Sequence, residues 1–185
     1  MNLVRFLSFL LPVAICASPI LAQDVGAMAG DAPAFQNTFY IGGGKARTDD
    51  AFDNDDTPFS LGFMHQLAGR KLILGGDLGQ EGTMLDSTWG QDQAVEQATS
   101  YNLLAGANVV DNGRFRTDVA LLLGVREDTK DCPRSYLGFQ CYADSDPETD
   151  YKGNFGAVLT VSFDRLTLGV RATGESTQVL AGLRF

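Results

Sequence analysis

The sequence predicts an all-β chain in which eight antiparallel strands close into an up-and-down transmembrane β-barrel. Three observations carry that prediction. Eight segments between Asn37 and Phe185 alternate apolar residues with small or polar ones, the period of a strand with two unlike faces. One glycine per segment falls on the mixed polar face: Gly42, Gly62, Gly75, Gly106, Gly124, Gly156, Gly169 and Gly182. No apolar run beyond residue 22 approaches the roughly 20 residues of a spanning helix, Val119 to Val125 being typical. A membrane protein of this composition has to cross with strands.

The chain begins with a basic residue, Arg5, an apolar run from Phe6 to Ala17, a helix breaker at Pro19 and a small residue at Ala22. That order reads as a secretory signal peptide, residues 1–22, cleaved after Ala22. Cys16 lies inside it behind Ile15, too large for a lipoprotein signal, so Cys16 is expected to leave with the signal. Residues 23–36 are rich in Ala, Gly and Asp and read as a flexible periplasmic lead-in. The barrel is expected over 37–185.

The first strand, Asn37 to Arg47, sets Phe39 and Ile41 against Gly42 and Gly44. The acidic stretch Thr48 to Asp56 separates it from the second, Thr57 to Leu67, with Phe59, Leu61 and Phe63 on one face. The turn Ala68 to Arg70 leads to the third, Lys71 to Glu81, where Leu72, Leu74 and Leu78 oppose Ile73, Gly75, Asp77 and Gly79. A polar loop from Gly82 to Glu96 holds Trp89. The fourth strand, Gln97 to Val109, sets Tyr101, Leu103 and Ala105 against Asn102, Leu104 and Gly106. Asp111-Asn112-Gly113 is a tight-turn signal.

The fifth strand, Arg114 to Arg126, has Phe115, Val119, Leu121, Leu123 and Val125 on one face. Arg116, Asp118, Leu122, Gly124 and Arg126 share the other. Glu127 to Asp150 is the longest loop. The sixth strand, Tyr151 to Phe163, turns at Asp164-Arg165 into a seventh, Leu166 to Thr173. Gly174-Glu175 leads to the eighth, Thr177 to Phe185. The first three long or acidic connections thus alternate with short turns, as external loops and periplasmic turns do, the short Gly174-Glu175 connection being the exception, and aromatics gather near both strand ends. The glycines mark the inside, since the lumen of eight strands is just wide enough for side chains. The bulky face is then expected to meet lipid.

The full chain has 14 basic and 23 acidic residues. Losing Arg5 with the signal leaves 13 against 23, a net charge of −10, which argues against nucleic-acid partners. Cys132 and Cys141 are the cysteines outside the signal. An exported chain favours a bridge between them, worth on the order of 2–3 kcal/mol.

The last strand pattern, Val179, Ala181, Gly182, Leu183 and Phe185, resembles the C-terminal signal of bacterial outer-membrane barrels. The whole arrangement resembles the small eight-stranded outer-membrane barrels of Gram-negative bacteria, the OmpA-transmembrane-domain, OmpX and opacity-protein type. The resemblance implies integral location in the outer membrane and a structural or cell-surface interaction role. Its implied partners are outer-membrane lipid, lipopolysaccharide and, during biogenesis, the barrel-assembly machinery that reads the terminal strand. A monomer without cofactor is expected.

The inward charges by parity are Asp77, Arg116, Asp118, Arg126, Lys152, Arg171 and Arg184. They are expected to pair within the lumen, because buried charges need partners. The alternative is a narrow porin-like channel for small solutes. Two further readings are a lipid A-modifying barrel enzyme and a soluble lipocalin-like binding barrel. His65 is the one histidine and shares the outward face, while Ser60 faces inward. A nucleophile and its base must be within hydrogen-bond reach, so no catalytic residue is assigned. The acidic loop Asp49 to Asp56 lacks the glycine and terminal Glu of an EF-hand, so no metal site is assigned.

Overall fold

The computed structural model describes residues 36–47, 56–85, 95–129, 134–135, 138–139 and 148–185. The signal peptide, nearly all of the lead-in, most of the acidic loop, Trp89 and both loop cysteines lie outside the described residues. Eight strands form the fold: β1 Asn37–Ala46, β2 Phe59–Gln66, β3 Leu72–Gln80, β4 Thr99–Asp111, β5 Phe115–Thr129, β6 Thr149–Phe163, β7 Leu166–Thr173 and β8 Ser176–Arg184. Each pairs antiparallel with its sequence neighbours, and β1 pairs with β8 to close the barrel. Phe185 seals that seam: its amide donates to the Asn37 carbonyl at 3.0 Å, and Asn37 donates back at 2.9 Å.

The register fixes the barrel's proportions. Asn37 lies opposite His65, then Leu74, Ala105, Leu121, Ala157, Ala172, Thr177 and finally Lys45. One circuit therefore returns to β1 eight residues further along. Eight strands with that shift tilt by about 36° and leave an interior that side chains can fill.

Three features differ from the sequence expectation. β5 and β6 are longer than expected, pairing as far as Thr129 opposite Thr149. Their polar tips continue the ladder because the strands' hydrogen bonds do not depend on apolar alternation. β4 runs on to Asp111 through a bulge between Asn108 and Val110, which leaves Val109 and Val110 both exposed. The tight turn follows, with Gly113 at φ 85°; Asp111 Oδ1 and Asn112 Oδ1 accept from the amides of Gly113 and Phe115. Two short ladders lie in the connections read as loops, Met84–Leu85 with Val95–Glu96 and Arg134–Ser135 with Gly138–Phe139.

The two faces are sharply unlike. Twenty-eight large apolar side chains are exposed among the described residues, including Leu103, Leu121, Phe155, Leu168 and Val179. The buried set is mixed: Tyr40, Met64, Ile73, Leu104, Ala120, Leu122, Val158 and Leu180 form an apolar cluster inside the barrel, flanked by polar groups. A lipocalin-like barrel would reverse these faces, so this orientation overturns that reading.

The inward glycines are needed for a sharper reason than general crowding. At Gly106, a Cβ would meet the Val119 carbonyl oxygen and the Ala120 Cα on the adjacent strand. At Gly124 it would meet the Tyr101 carbonyl and, at 2.5 Å, Asn102 Oδ1. Backbone cannot step aside as a flexible side chain can. Gly62 differs, since there the Tyr40 ring occupies the space.

Gly106→Ala and Gly124→Ala should each destabilise the refolded barrel by about 1–3 kcal/mol, the usual cost of overpacking. Gly76→Ala, whose nearest neighbour would be the Asn102 carbonyl at 3.9 Å, should change stability by less than about 0.5 kcal/mol. Urea unfolding midpoints check both; equal effects at the three sites would contradict the close-approach argument.

Candidate functional site

The inward positions stack as three zones: a polar cluster near the loop end, the apolar cluster, and a second polar cluster near the short turns. Arg171 on β7 centres the first. Its side chain is completely buried, as are those of Asp77 and Glu81. Nη2 donates to Asp77 Oδ1 at 2.8 Å and to Glu81 Oε1 at 2.7 Å, while Nη1 reaches Glu81 Oε2 at 2.7 Å. One guanidinium fork thus bridges two carboxylates through charge-assisted bonds.

Neutral donors complete the shell around those carboxylates. Asp77 accepts from the Tyr40 hydroxyl at 2.8 Å and from Asn102 Nδ2 at 3.0 Å. Glu81 accepts from Thr173 and Ser176 at 2.6 Å each, and from Ser100 and Asn154 at 3.0 Å each. Ser176 accepts from Gln178, which accepts from Ser60 in turn. These groups come from every strand except β5. There Gly124 leaves the room that Asn102 occupies.

The second cluster belongs to β2, β4 and β5. Arg116 Nε donates to Asp118 at 2.7 Å, and its Nη1 donates to Gln66. Asn108 Nδ2 donates to Asp118 at 2.8 Å, and Gln66 passes the chain to the Arg70 carbonyl. Arg184 on β8 is buried at this level. At the other extreme, Arg126 lies at the loop-side mouth and pairs with Glu175 at 3.0 Å.

Lys152 is the exception among the inward charges expected from the sequence. Its parity is correct, but it sits on the extension of β6 beyond the rim. Its side chain is 59% exposed and pairs with Asp128. Sequence reading also missed Glu81 and Tyr40, which parity on β3 and β1 would have placed inside. Glu81 was read as the end of a strand, and Tyr40 as part of a face defined by its glycines.

The terminal pattern divides by parity. Val179, Ala181, Leu183 and Phe185 are exposed, whereas Gly182 points inward against the Phe39 carbonyl. His65 is exposed and bonds Asn37 Oδ1 at 2.9 Å, while Ser60 is buried and donates to Gln178. These two side chains lie on opposite faces of β2 and form no nucleophile–base pair. Among the described residues, no group of three or more His, Cys, Asp or Glu is arranged to hold a metal ion. At the short-turn end, Arg114 pairs with Asp164 at 3.3 Å and lies 5.0 Å over the Phe163 ring. The hydrogen bond to Asp164, with its charge, raises the Arg114 pKa above its ordinary value.

No protein-family model matches the chain, and no curated protein matches it. Among solved structures it is similar to the outer membrane protein Ail of Yersinia pestis. The backbone structure of Ail in a phospholipid bilayer nanodisc is 15% identical with a TM-score of 0.46, covering 82% of this chain and 99% of that one. The crystal structure of Ail, the attachment invasion locus protein, is 11% identical with a TM-score of 0.41, covering 81% and 97%.

Arg171→Met should cost about 3–5 kcal/mol, because it strands two buried carboxylates. Arg114→Met, at an exposed pair, should leave the urea midpoint unchanged. A double change of Asp77→Asn with Glu81→Gln in the Arg171→Met background should recover part of the loss. If Arg171→Met unfolds at the wild-type midpoint, the cluster does not hold the barrel.

Proposed function

We propose that this chain is an integral outer-membrane barrel with a structural or cell-surface interaction role, its lumen filled by side chains rather than open to solutes. The observation that carries the reading is the exposed apolar belt on a closed barrel whose polar groups are turned inward. Water would leave that belt as one contiguous apolar patch far beyond the few hundred Å² that soluble monomers expose. Hydrocarbon solvates it, and a closed barrel leaves no unpaired strand edge in the membrane.

Phe59, Tyr101 and Phe155 lie toward the loop end of the belt, with Phe115, Phe163 and Phe185 at the other. This is the placement that two interfacial girdles require. Phe39, near the short-turn end of β1, lies one pleat inward of Asn37, opposite Phe63. The reading carries with it export through residues 1–22, a Cys132–Cys141 bridge in an external loop, contact with lipid and lipopolysaccharide, and handling by the assembly machinery.

A probe walked from Val119 to Gly124 in reconstituted protein tests the membrane reading. Odd positions should contact lipid-soluble quenchers and even positions should not. Leu121→Arg should cost about 2–4 kcal/mol if it lies near the midplane. A signal without two-residue period, or protein soluble without detergent, overturns the proposal. Planar-bilayer recording tests the filled lumen: wild-type protein should fold with a heat-modifiable gel shift yet give no stable channels. Regular channels would favour the porin-like alternative.

Deletion of Phe185 tests the assembly role. It should reduce folded protein in outer-membrane fractions more than it lowers the stability of refolded protein. Normal insertion without Phe185 would remove the basis for calling it a signal.

A further inference from the structure

Charge is divided between the two ends of the barrel. The three long connections, 48–56, 82–96 and 127–150, hold fifteen of the chain's 23 acidic residues. At the short-turn end the sign reverses. The turn between β2 and β3 carries exposed Arg70 and Lys71, and the next two short turns carry exposed Arg114 and Arg165. The exposed acidic side chains there are Asp111 and Asp164. Asp164 pairs with Arg114, and Asp111 accepts from the Gly113 amide of its own turn. Asp118 is buried against Arg116. Among the described residues, no carboxylate pairs with Arg70 or Lys71.

The backbone sets an apolar step beside that turn. Leu72 pairs with Ala107, and the ladder continues as the Asn108 amide donates to the Lys71 carbonyl at 2.8 Å. The β4 bulge follows at once, so Val109 and Val110 run on past Lys71, 56% and 45% exposed. Asn108 fastens the bulge, its Nδ2 donating to the carbonyls of Val110 at 3.1 Å and Thr117 at 3.2 Å. Leu72, next to Lys71, begins the outward apolar belt of β3. Two cations without an acid therefore stand where the apolar face ends. The interfacial depth is marked two turns away, where the Arg114 guanidinium lies 5.0 Å over the ring of Phe163 in the girdle.

We propose that the β2–β3 turn and the β4 bulge bind the head of an anionic phospholipid of the phosphatidylglycerol type, with Arg70 and Lys71 on its phosphate and Val109 and Val110 against the start of its acyl chains. The inference rests on the membrane reading above and adds a sited lipid at its periplasmic interface. Arg and Lys bond phosphate oxygens through charge-assisted hydrogen bonds. A zwitterionic head brings its own cation to the phosphate, whereas a glycerol head leaves that charge uncompensated. The place selects a phospholipid, because this end lies opposite the loops that face lipopolysaccharide. The exposed valines select a lipid over a free phosphate ion, which has no apolar part to set against them.

The test uses the full mature chain in phosphatidylcholine vesicles doped with a lipid brominated near the head end of its chains. The dopant carries a phosphatidylglycerol or a phosphatidylcholine head. Trp89→Phe with Leu72→Trp puts a single tryptophan beside the site, and Trp89→Phe with Leu78→Trp puts one toward the loop end of the same strand. Quenching in the Leu72→Trp protein should favour the glycerol head by about fivefold, the worth of one basic side chain at an anionic membrane surface. The Leu78→Trp protein should show no preference. Arg70→Gln with Lys71→Gln should erase the preference while the heat-modifiable shift persists, and Arg70→Lys with Lys71→Arg should keep it. At 1 M salt, where screening acts within about 3 Å, the preference should fall away.

Equal quenching by both heads in the Leu72→Trp protein would overturn the site while leaving the membrane barrel intact. An equal glycerol-head preference in the Leu78→Trp protein would overturn its location, and a preference that survives the glutamine pair would overturn the roles of Arg70 and Lys71. Loss of the preference to millimolar inorganic phosphate at constant ionic strength would overturn the lipid as occupant. Quenching by neither lipid, with protein recovered free of vesicles, would instead remove the membrane reading itself. If the glutamine pair fails to fold, the salt series on the native turn decides, and an undiminished preference at 1 M salt overturns the site.

Discussion

Closure with an eight-residue shift is the constraint on which the rest of this structure depends. It sets how wide the interior is, and so how much side chain must occupy it. Eight strands at that shift enclose a space that large residues can fill only if others are reduced to hydrogen. The glycines and the bulky lumen residues are therefore one solution. Gly62 is small because the Tyr40 ring lies over it, and Tyr40 in turn delivers its hydroxyl to Asp77. Elsewhere the neighbouring backbone comes so near that even a methyl group is excluded, as at Gly106.

The interior clusters follow from that closure. A carboxylate taken from water costs several kcal/mol unless it is paired and hydrogen-bonded. Asp77 and Glu81 meet the requirement together by sharing Arg171, with neutral donors supplying the remaining bonds. Two acids on one guanidinium leave a formal excess of one negative charge, and the hydroxyl and amide donors turned toward Glu81 offset it. These donors are spread over β1, β4, β6, β7 and β8. The cluster is satisfied only when the strands are in register. A slip of one residue would turn Asp77 to the outside and Leu78 to the inside. In this way a polar centre that adds little net stability can still specify one pairing over its neighbours.

Most of the architecture was legible because it depends on period two. Alternation located all eight strands, the glycines chose the inner face, and Asp111-Asn112-Gly113 marked its turn. The misses came where alternation is uninformative. Parity placed Lys152 inside, but parity does not say how far along its axis a barrel extends, and Lys152 stands above the rim. Glu81 was overlooked because it follows the last alternating apolar residue, although its side chain is among the most enclosed in the protein. The overrun of β4 through the Asn108–Val110 bulge is a local backbone event with no compositional mark. Which charges meet which was illegible for a plainer reason: Arg171 and Asp77 are 94 residues apart, and only the register brings them together.

The outer surface obeys a different rule from the inner one. Inside, a glycine answers a neighbour that is already there, and adding a methyl meets backbone. Gly76 faces out with open space above it, so no packing within the chain accounts for its size. An apolar belt in lipid tolerates almost any large hydrophobe, and β3 uses Leu72, Leu74 and Leu78 at its other outward positions. A glycine in a strand also forfeits side-chain packing and carries extra backbone entropy in the unfolded chain. That cost is incurred on a face where leucine would serve, between walls of Phe63 and Leu103. The interruption at Gly76 is consequently a feature of the exposed apolar face alone, without a counterpart in the packing of the interior.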